Sequence, residues 1–214
     1  MRTIIFDLDG TLVDSAPGIL GAFAGAFAAC ALEPLVPLVP GLIGPPLRAM
    51  LQELSGVADP LVLDRLTAAF KAHYDGAGCL ETTPFNGIEA MLEAITDAGV
   101  PMHIATNKRA LPTRRILAHL GWTALFDRVY CLDDFAPPLR DKTALLARLL
   151  VDAGLDPARC VYVGDRREDA LAARMNHLPF FWAAWGFGAA PDQTGAIDGG
   201  VLRHPDARAL LGRA

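Results

Sequence analysis

The sequence predicts an α/β protein: a parallel-sheet core that carries an inserted small α-helical domain. Three observations lead there. The chain opens with Thr3-Ile4-Ile5-Phe6, short, apolar and β-branched, as a buried strand should be. From residue 84 onward, short apolar runs alternate with amphipathic ones, the pattern of a parallel sheet with helices on both faces. Between these regions, residues 16–80 show helical signals and no convincing strand. They therefore read as an insertion, with residues 1–15 and 81–214 forming the core.

Each element has a local reason. Residues 14–31 read as a helix with Asp14 or Ser15 as its cap, Pro17 in its first turn, and Phe23 and Phe27 on one face. The proline-rich stretch 33–46 must be irregular. Short helices are expected over 47–54 and 60–74, the second with Leu63, Leu66 and Phe70 at helical spacing. Residues 75–83 read as a linker in which Gly76 and Gly78 provide a hinge. Asn86-Gly87 then opens a helix to residue 98, closed by Gly99. Strands are expected over 101–105, 128–132, 160–163 and 179–185. Helices are expected over 110–120, 142–153, 169–176 and 204–211, and Gly186 and Gly188 turn the chain after the last strand.

Composition excludes several classes of protein. At 214 residues the chain can bury a substantial core, and 52% hydrophobic with 20% charged residues rules out bulk disorder. A net charge of −5 implies no broad attraction to nucleic acid. No segment offers the roughly 20 uninterrupted apolar residues of a membrane helix. Cys30, Cys79, Cys131 and Cys160 have no metal-type spacing and are expected as reduced thiols. The N-terminus runs directly into a strand without a secretory pattern, so the expected compartment is the cytoplasm.

The chemistry gathers at strand ends, where open parallel sheets bind ligands. The first strand delivers Asp7 and Asp9, followed by Gly10 for a sharp turn. Two acids that close repel and need a cation or a shared proton. A later strand delivers Thr106, Asn107 and Lys108; Thr106 and the backbone N–H after it suit phosphate oxygens. Another delivers Gly164-Asp165 and, four residues on, Asp169. Asp165 supplies a hard oxygen for Mg2+, and Asp169 either ligates or orients Asp165. Lys142 opens a helix and would offset charge at the site, with Lys108 as its rival. Read singly, Thr106-Asn107 is an ordinary turn, Lys142 a surface lysine, and Asp165 and Asp169 a helix cap and first-turn acid. Their order and shared placement argue against those readings.

The stretch Asp7-Leu8-Asp9-Gly10-Thr11 resembles the first motif of the haloacid dehalogenase-like superfamily, and the later motifs follow in order at Thr106, Lys142 and Gly164-Asp165 with Asp169. The resemblance covers nearly the whole chain, including Asp14-Ser15-Ala16-Pro17 before the insertion, Pro84-Phe85-Asn86-Gly87 after it and Trp185-Gly186-Phe187-Gly188 near the end. It implies a Rossmann-like core with a helical cap and looks like the phosphoglycolate phosphatase-like branch. Many relatives carry proline after the third-motif lysine, where this chain has Thr143. By resemblance Asp7 would be the nucleophile, Asp9 the acid/base, Lys142 the charge-compensating lysine, and Asp7, Asp9 and Asp165 the Mg2+ site. The implied partner is a small phosphorylated metabolite, phosphoglycolate the leading choice. Arg48, after Gly44-Pro45-Pro46-Leu47, is a candidate for the substrate's remote end. A phosphomutase and a non-catalytic phosphate- or partner-binding protein are the alternatives. Nothing in the sequence sets the oligomeric state.

Overall fold

The computed structural model describes residues 2–189 and 199–212. In chain order its elements are β1 (Thr3–Phe6), β2 (Val13–Asp14), α1 (Ala16–Ala29), α2 (Leu47–Ser55), α3 (Pro60–Tyr74), β3 (Thr83–Pro84), α4 (Ile88–Asp97) and β4 (Met102–Thr106), followed by α5 (Ala110–His119), β5 (Arg128–Cys131), α6 (Lys142–Asp152), β6 (Cys160–Gly164), α7 (Arg167–Met175), β7 (Phe180–Ala183), β8 (Gly200–Leu202) and α8 (Ala207–Leu211). Six strands form one parallel sheet in the order β5-β4-β1-β6-β7-β8. β1 lies between β4 and β6, where the strand order reverses. Its carboxyl end therefore opens into the crevice that parallel sheets use for ligands.

Both faces of the sheet are covered, and β1 is buried along its whole length for that reason. Ile4 and Phe6 join one core with α4, α8 and Leu117 of α5. Ile5 points the other way, into a second core with α6 and α7. Burying each such side chain contributes about 1.5–3 kcal/mol. The insertion has an apolar cluster of its own, which includes Phe23 and Phe27 of α1, Leu66 and Phe70 of α3 and Leu51 of α2, and which also takes in Ile116 of α5. None of the described helices is long and apolar enough to cross a membrane.

The chain leaves the core and returns to it side by side. β2 and β3 form a two-stranded antiparallel pair, Val13 opposite Pro84 and Asp14 opposite Thr83. This joint was not expected, because two residues are too few to carry an alternation signal. Gly78 also has a packing role, shared with Gly18. A Cβ on Gly18 would lie 1.9 Å from the Gly78 carbonyl oxygen, so these glycines let α1 pack backbone-to-backbone on the segment after α3.

Other boundaries shift for identifiable reasons. α1 starts at Ala16, and Asp14 Oδ1 accepts from the Ala16 N–H at 3.0 Å. Ser15 makes no cap hydrogen bond, because its hydroxyl donates to Asp9. α7 starts at Arg167, two residues earlier than expected, since Asp169 reaches back to the Arg166 N–H from within the first turn. β8 has no counterpart in the expected elements. It is three residues long and opens on glycine. All four cysteines carry free thiols, as expected.

Candidate active site

Asp7 leaves β1 with its backbone N–H on Val163 O at 2.9 Å, which fixes it between β1 and β6. Its side chain is buried. Oδ2 lies 2.7 Å from Nζ of Lys142, the first residue of α6. Oδ1 is buried with no hydrogen-bond partner among the described residues.

Lys142 is held by a second acid. Asp169 Oδ1 lies 2.6 Å from the ammonium, and the Tyr162 hydroxyl reaches the same oxygen at 3.2 Å. Asp169 Oδ2 accepts from the Arg166 N–H at 3.0 Å. Both Asp169 oxygens are thus committed to protein donors, which makes it the group that aims Lys142.

Asp165 is fully buried. Its Oδ2 accepts from the backbone N–H groups of Phe187 and Gly188, at 2.8 and 3.1 Å, and its Oδ1 from the Thr11 hydroxyl at 3.3 Å. The turn at Gly186-Phe187-Gly188 therefore wraps the carboxylate. Gly10 is required on the opposite side. Its φ is +80°, and a Cβ there would sit 2.3 Å from Asp165 Oδ2.

Asp7, Asp165 and Asp169 bring carboxylate oxygens within 4.8 Å of one another. Burial pushes the Asp7 carboxyl up to about 6, with Asp169 adding to the rise and Lys142 opposing it. Burial, then Asp169 and Asp7, push Asp165 up to about 7. For Lys142, burial alone would lower the pKa, but Asp169 and Asp7 outweigh it and hold the ammonium above the ordinary lysine value. Three carboxylates around one ammonium leave negative charge in excess. That excess, the unpartnered Asp7 oxygen and the all-oxygen donor set suit a hard divalent cation such as Mg2+.

The Asp9 side chain is not part of this cluster of carboxylates. It lines the same cavity as Asp7 but pairs with the other lysine. Lys108 Nζ donates to Asp9 Oδ1 and Oδ2 at 2.9 and 3.0 Å, and the Ser15 hydroxyl donates to Oδ1 at 2.6 Å. The extended period breaks at Leu8, whose carbonyl accepts from both Leu12 N–H and Val13 N–H and turns the chain. The two candidate lysines therefore divide the work: Lys142 belongs to Asp7 and Lys108 to Asp9.

Thr106 Oγ1 accepts from the Lys108 N–H at 3.3 Å, which leaves the hydroxyl's own proton for a ligand in the cavity. Asn107 Nδ2 donates to Gly44 O of the insertion at 3.2 Å. The side chain therefore holds the insertion loop. Arg48 does not line the cavity at Asp7. It is exposed and pairs with Asp64 at 2.5 Å beside an outer groove.

The cavity has a volume of about 60 Å³. The core supplies its polar floor, including Asp7, Asp9, Thr106 and Lys108, and the insertion supplies an apolar roof, including Ile19, Met50 and Phe70. Tyr74 of α3 adds a hydroxyl to that roof. Burial pushes it up to about 12, so it stays protonated. Nothing in the spacing of α3 marked Tyr74 as more than a core residue.

The family model for haloacid dehalogenase-like hydrolases matches residues 4–183, from β1 through β7 and across every acid and lysine of the site. The chain belongs to this family. It is 34% identical over 195 residues to a phosphoglycolate phosphatase of Xylella fastidiosa, covering 89% of this chain and 83% of that protein. It is 29% identical over 187 residues to a 5'-nucleotidase of Pseudomonas aeruginosa, covering 87% of this chain and 84% of that protein. The crystal structure of a predicted phosphatase from Clostridium acetobutylicum superimposes with a TM-score of 0.83 at 25% identity, over 94% of this chain and 93% of that one. In this haloacid dehalogenase-like chain the expected parallel core and helical insertion are both present.

Proposed function

We propose that this protein is a Mg2+-dependent phosphatase that hydrolyses a small phosphate monoester through an aspartyl-phosphate on Asp7. The observation that carries the reading is the buried Asp7 Oδ1, unpartnered among the described residues, on a carboxylate that pairs with the Lys142 ammonium and lines the cavity. A carboxylate so placed is a nucleophile in want of an electrophile.

In the first step an Asp7 oxygen attacks phosphorus. The phosphorus–oxygen bond to the leaving group breaks, and Asp9 gives its proton to the departing oxygen. In the second step water attacks the phosphorus of the aspartyl-phosphate and passes its proton to Asp9. Inorganic phosphate leaves and the Asp7 carboxylate is restored. Such a positioned acid/base contributes about 10²–10⁴-fold. Lys142 offsets charge on the phosphoryl oxygens, and the Thr106 hydroxyl donates to one of them. Asp7 and Asp165, with Asp9 through its backbone, would hold Mg2+, which would supply Lewis-acid stabilisation of the same oxygens. The insertion, residues 16–80, acts as a cap that excludes bulk water and meets the leaving group.

Phosphoglycolate is the leading substrate, supported by the identity to the Xylella fastidiosa enzyme over nearly the full length of both chains. The test is release of inorganic phosphate from a panel of small phosphate esters, phosphoglycolate included, with Mg2+ and again after EDTA. Turnover that EDTA stops and added Mg2+ restores is the expected result. No phosphate release from any ester overturns the reading.

A further inference from the structure

Three consecutive residues after β4 each hold a different point of the insertion. Asn107 Nδ2 donates to Gly44 O, Lys108 Nζ donates to the Tyr74 hydroxyl, and Arg109 forms a two-point pair with Asp75. The middle contact differs in kind from its neighbours. Asn107 and Arg109 fasten the insertion to the core and reach no acid of the site. Lys108 Nζ joins Tyr74 to both oxygens of Asp9, at 2.9 and 3.0 Å.

An ammonium has three N–H donors, and these three acceptors use all of them. Two acceptors belong to Asp9 and the third belongs to the insertion. The Lys108 side chain is 5% exposed and that of Asp9 13%. Tyr74 is itself fixed, its ring centroid 5.4 Å from that of Phe70 and its residue buried. A lysine stem has four flexible carbons, whereas this tyrosine is a rigid group on a helix. The position of the ammonium between the two Asp9 oxygens is therefore set from the insertion side.

Resting on the phosphatase reading above, we infer that Tyr74 is a positioning residue for proton transfer by Asp9, acting through Lys108. The Tyr74 hydroxyl anchors the ammonium, and the ammonium with the Ser15 hydroxyl fixes the Asp9 carboxyl group. Asp9 is then aimed for transfer only while α3 lies against the core. An acid out of line by even 1 Å loses much of its effect.

The alternative is that Tyr74 only packs the insertion against the core, and the leaving group separates the two. An alkyl phosphate needs a proton on its departing oxygen, whereas p-nitrophenolate leaves without one. Tyr74→Phe keeps the ring and removes the hydroxyl. For this variant kcat/KM on ethyl phosphate is expected to fall about tenfold or more, and on p-nitrophenyl phosphate by less than about threefold. Lys108→Met is expected to show the same asymmetry, and adding Tyr74→Phe to it should cost nothing further, because the two act in series. An equal loss on both esters, no loss on either, or losses that multiply in the double variant would overturn the inference. A parent protein that releases no phosphate from these two esters or from any other ester of the panel would instead overturn the phosphatase reading and the inference with it.

Discussion

The Lys142 ammonium sits 2.7 Å from Asp7 Oδ2 and leaves the other Asp7 oxygen buried without a partner among the described residues. One oxygen of the carboxylate is held and the other is left for a ligand. Asp7→Asn should abolish turnover, by about 10³-fold or more, because an amide is no nucleophile. It should not cost stability. The parent carboxyl is buried with its pKa raised to about 6, so a neutral amide removes an unfavourable charge. Kinetics on any accepted ester, with melting temperature at pH 8 without divalent cation, checks both halves. A variant that melts well below the parent contradicts the charge argument.

Lys142→Met tests the other side of the same pair. It strands Asp7 and Asp169 as buried acids with no ammonium between them. Removing one partner of a buried ion pair costs about 3–5 kcal/mol, so urea denaturation at pH 8 should show a loss of that order. Turnover should fall about 10²–10³-fold, the usual cost of losing one charge-stabilising group. Normal stability would mean that the Asp169–Lys142–Asp7 chain does not hold the fold.

The raised acids also make stability depend on pH in a defined direction. Asp7 and Asp165 rise from 3.8 to about 6 and about 7. The folded protein then binds these protons more tightly than the unfolded chain does. Their contribution is full below pH 3.8 and is lost as pH rises through 6 to 7. A bound divalent cation favours the carboxylates and reverses the penalty. Mg2+ should therefore raise the melting temperature more at pH 8 than at pH 5.5. Equal increments at the two pH values would remove Asp7 and Asp165 from the metal site.

Much of this was legible in the sequence, wherever local pattern and site coincide. β1, β4 and β6 are short apolar runs that end at the polar residues of the site, so strand and chemistry mark each other. What escaped has physical causes. Ser15 has the residue type of a helix cap, but its hydroxyl serves Asp9. Asp9 was expected beside Asp7 on extended geometry, yet the turn at Leu8 gives it to Lys108. Tyr74 meets Lys108 across 34 residues of sequence, and no spacing rule reports such a contact. His103 is a polar residue in a mostly apolar strand. It lies buried in β4 with Nδ1 unpartnered among the described residues, and burial lowers its pKa.

Arg48 illustrates a residue type without the placement. Its guanidinium pairs with Asp64, and their side chains are 47% and 64% exposed. Exposed pairs contribute about 0–1 kcal/mol. Arg48→Ala should change KM for small esters by less than about twofold. A larger KM rise confined to acidic substrates would return Arg48 to a binding role.

The Arg109–Asp75 pair offers the cleanest test of the cap itself. It bridges the core loop after β4 and the end of α3, and both side chains are about four-fifths covered. Neither residue touches Asp9 or Asp7 in the hydrogen-bond network, so breaking the pair should loosen the lid without disturbing the acids beneath. Asp75→Asn keeps the shape and removes the charge, leaving one oxygen to accept from the guanidinium and turning an NH2 donor toward its other N–H group. If the insertion closes over the site, this variant should raise KM severalfold for alkyl and aryl phosphates alike, with kcat changed less. Backbone amides of α3 and of the 40–46 loop should exchange faster with solvent, while those of β1 and β6 keep their protection. Faster exchange with unchanged KM would show that the insertion can open without affecting substrate. Slower turnover on alkyl esters alone would move Asp75 into the proton-transfer path assigned to Tyr74. The expected result differs from both: an equal effect on every leaving group, since closure precedes bond breaking whatever group departs.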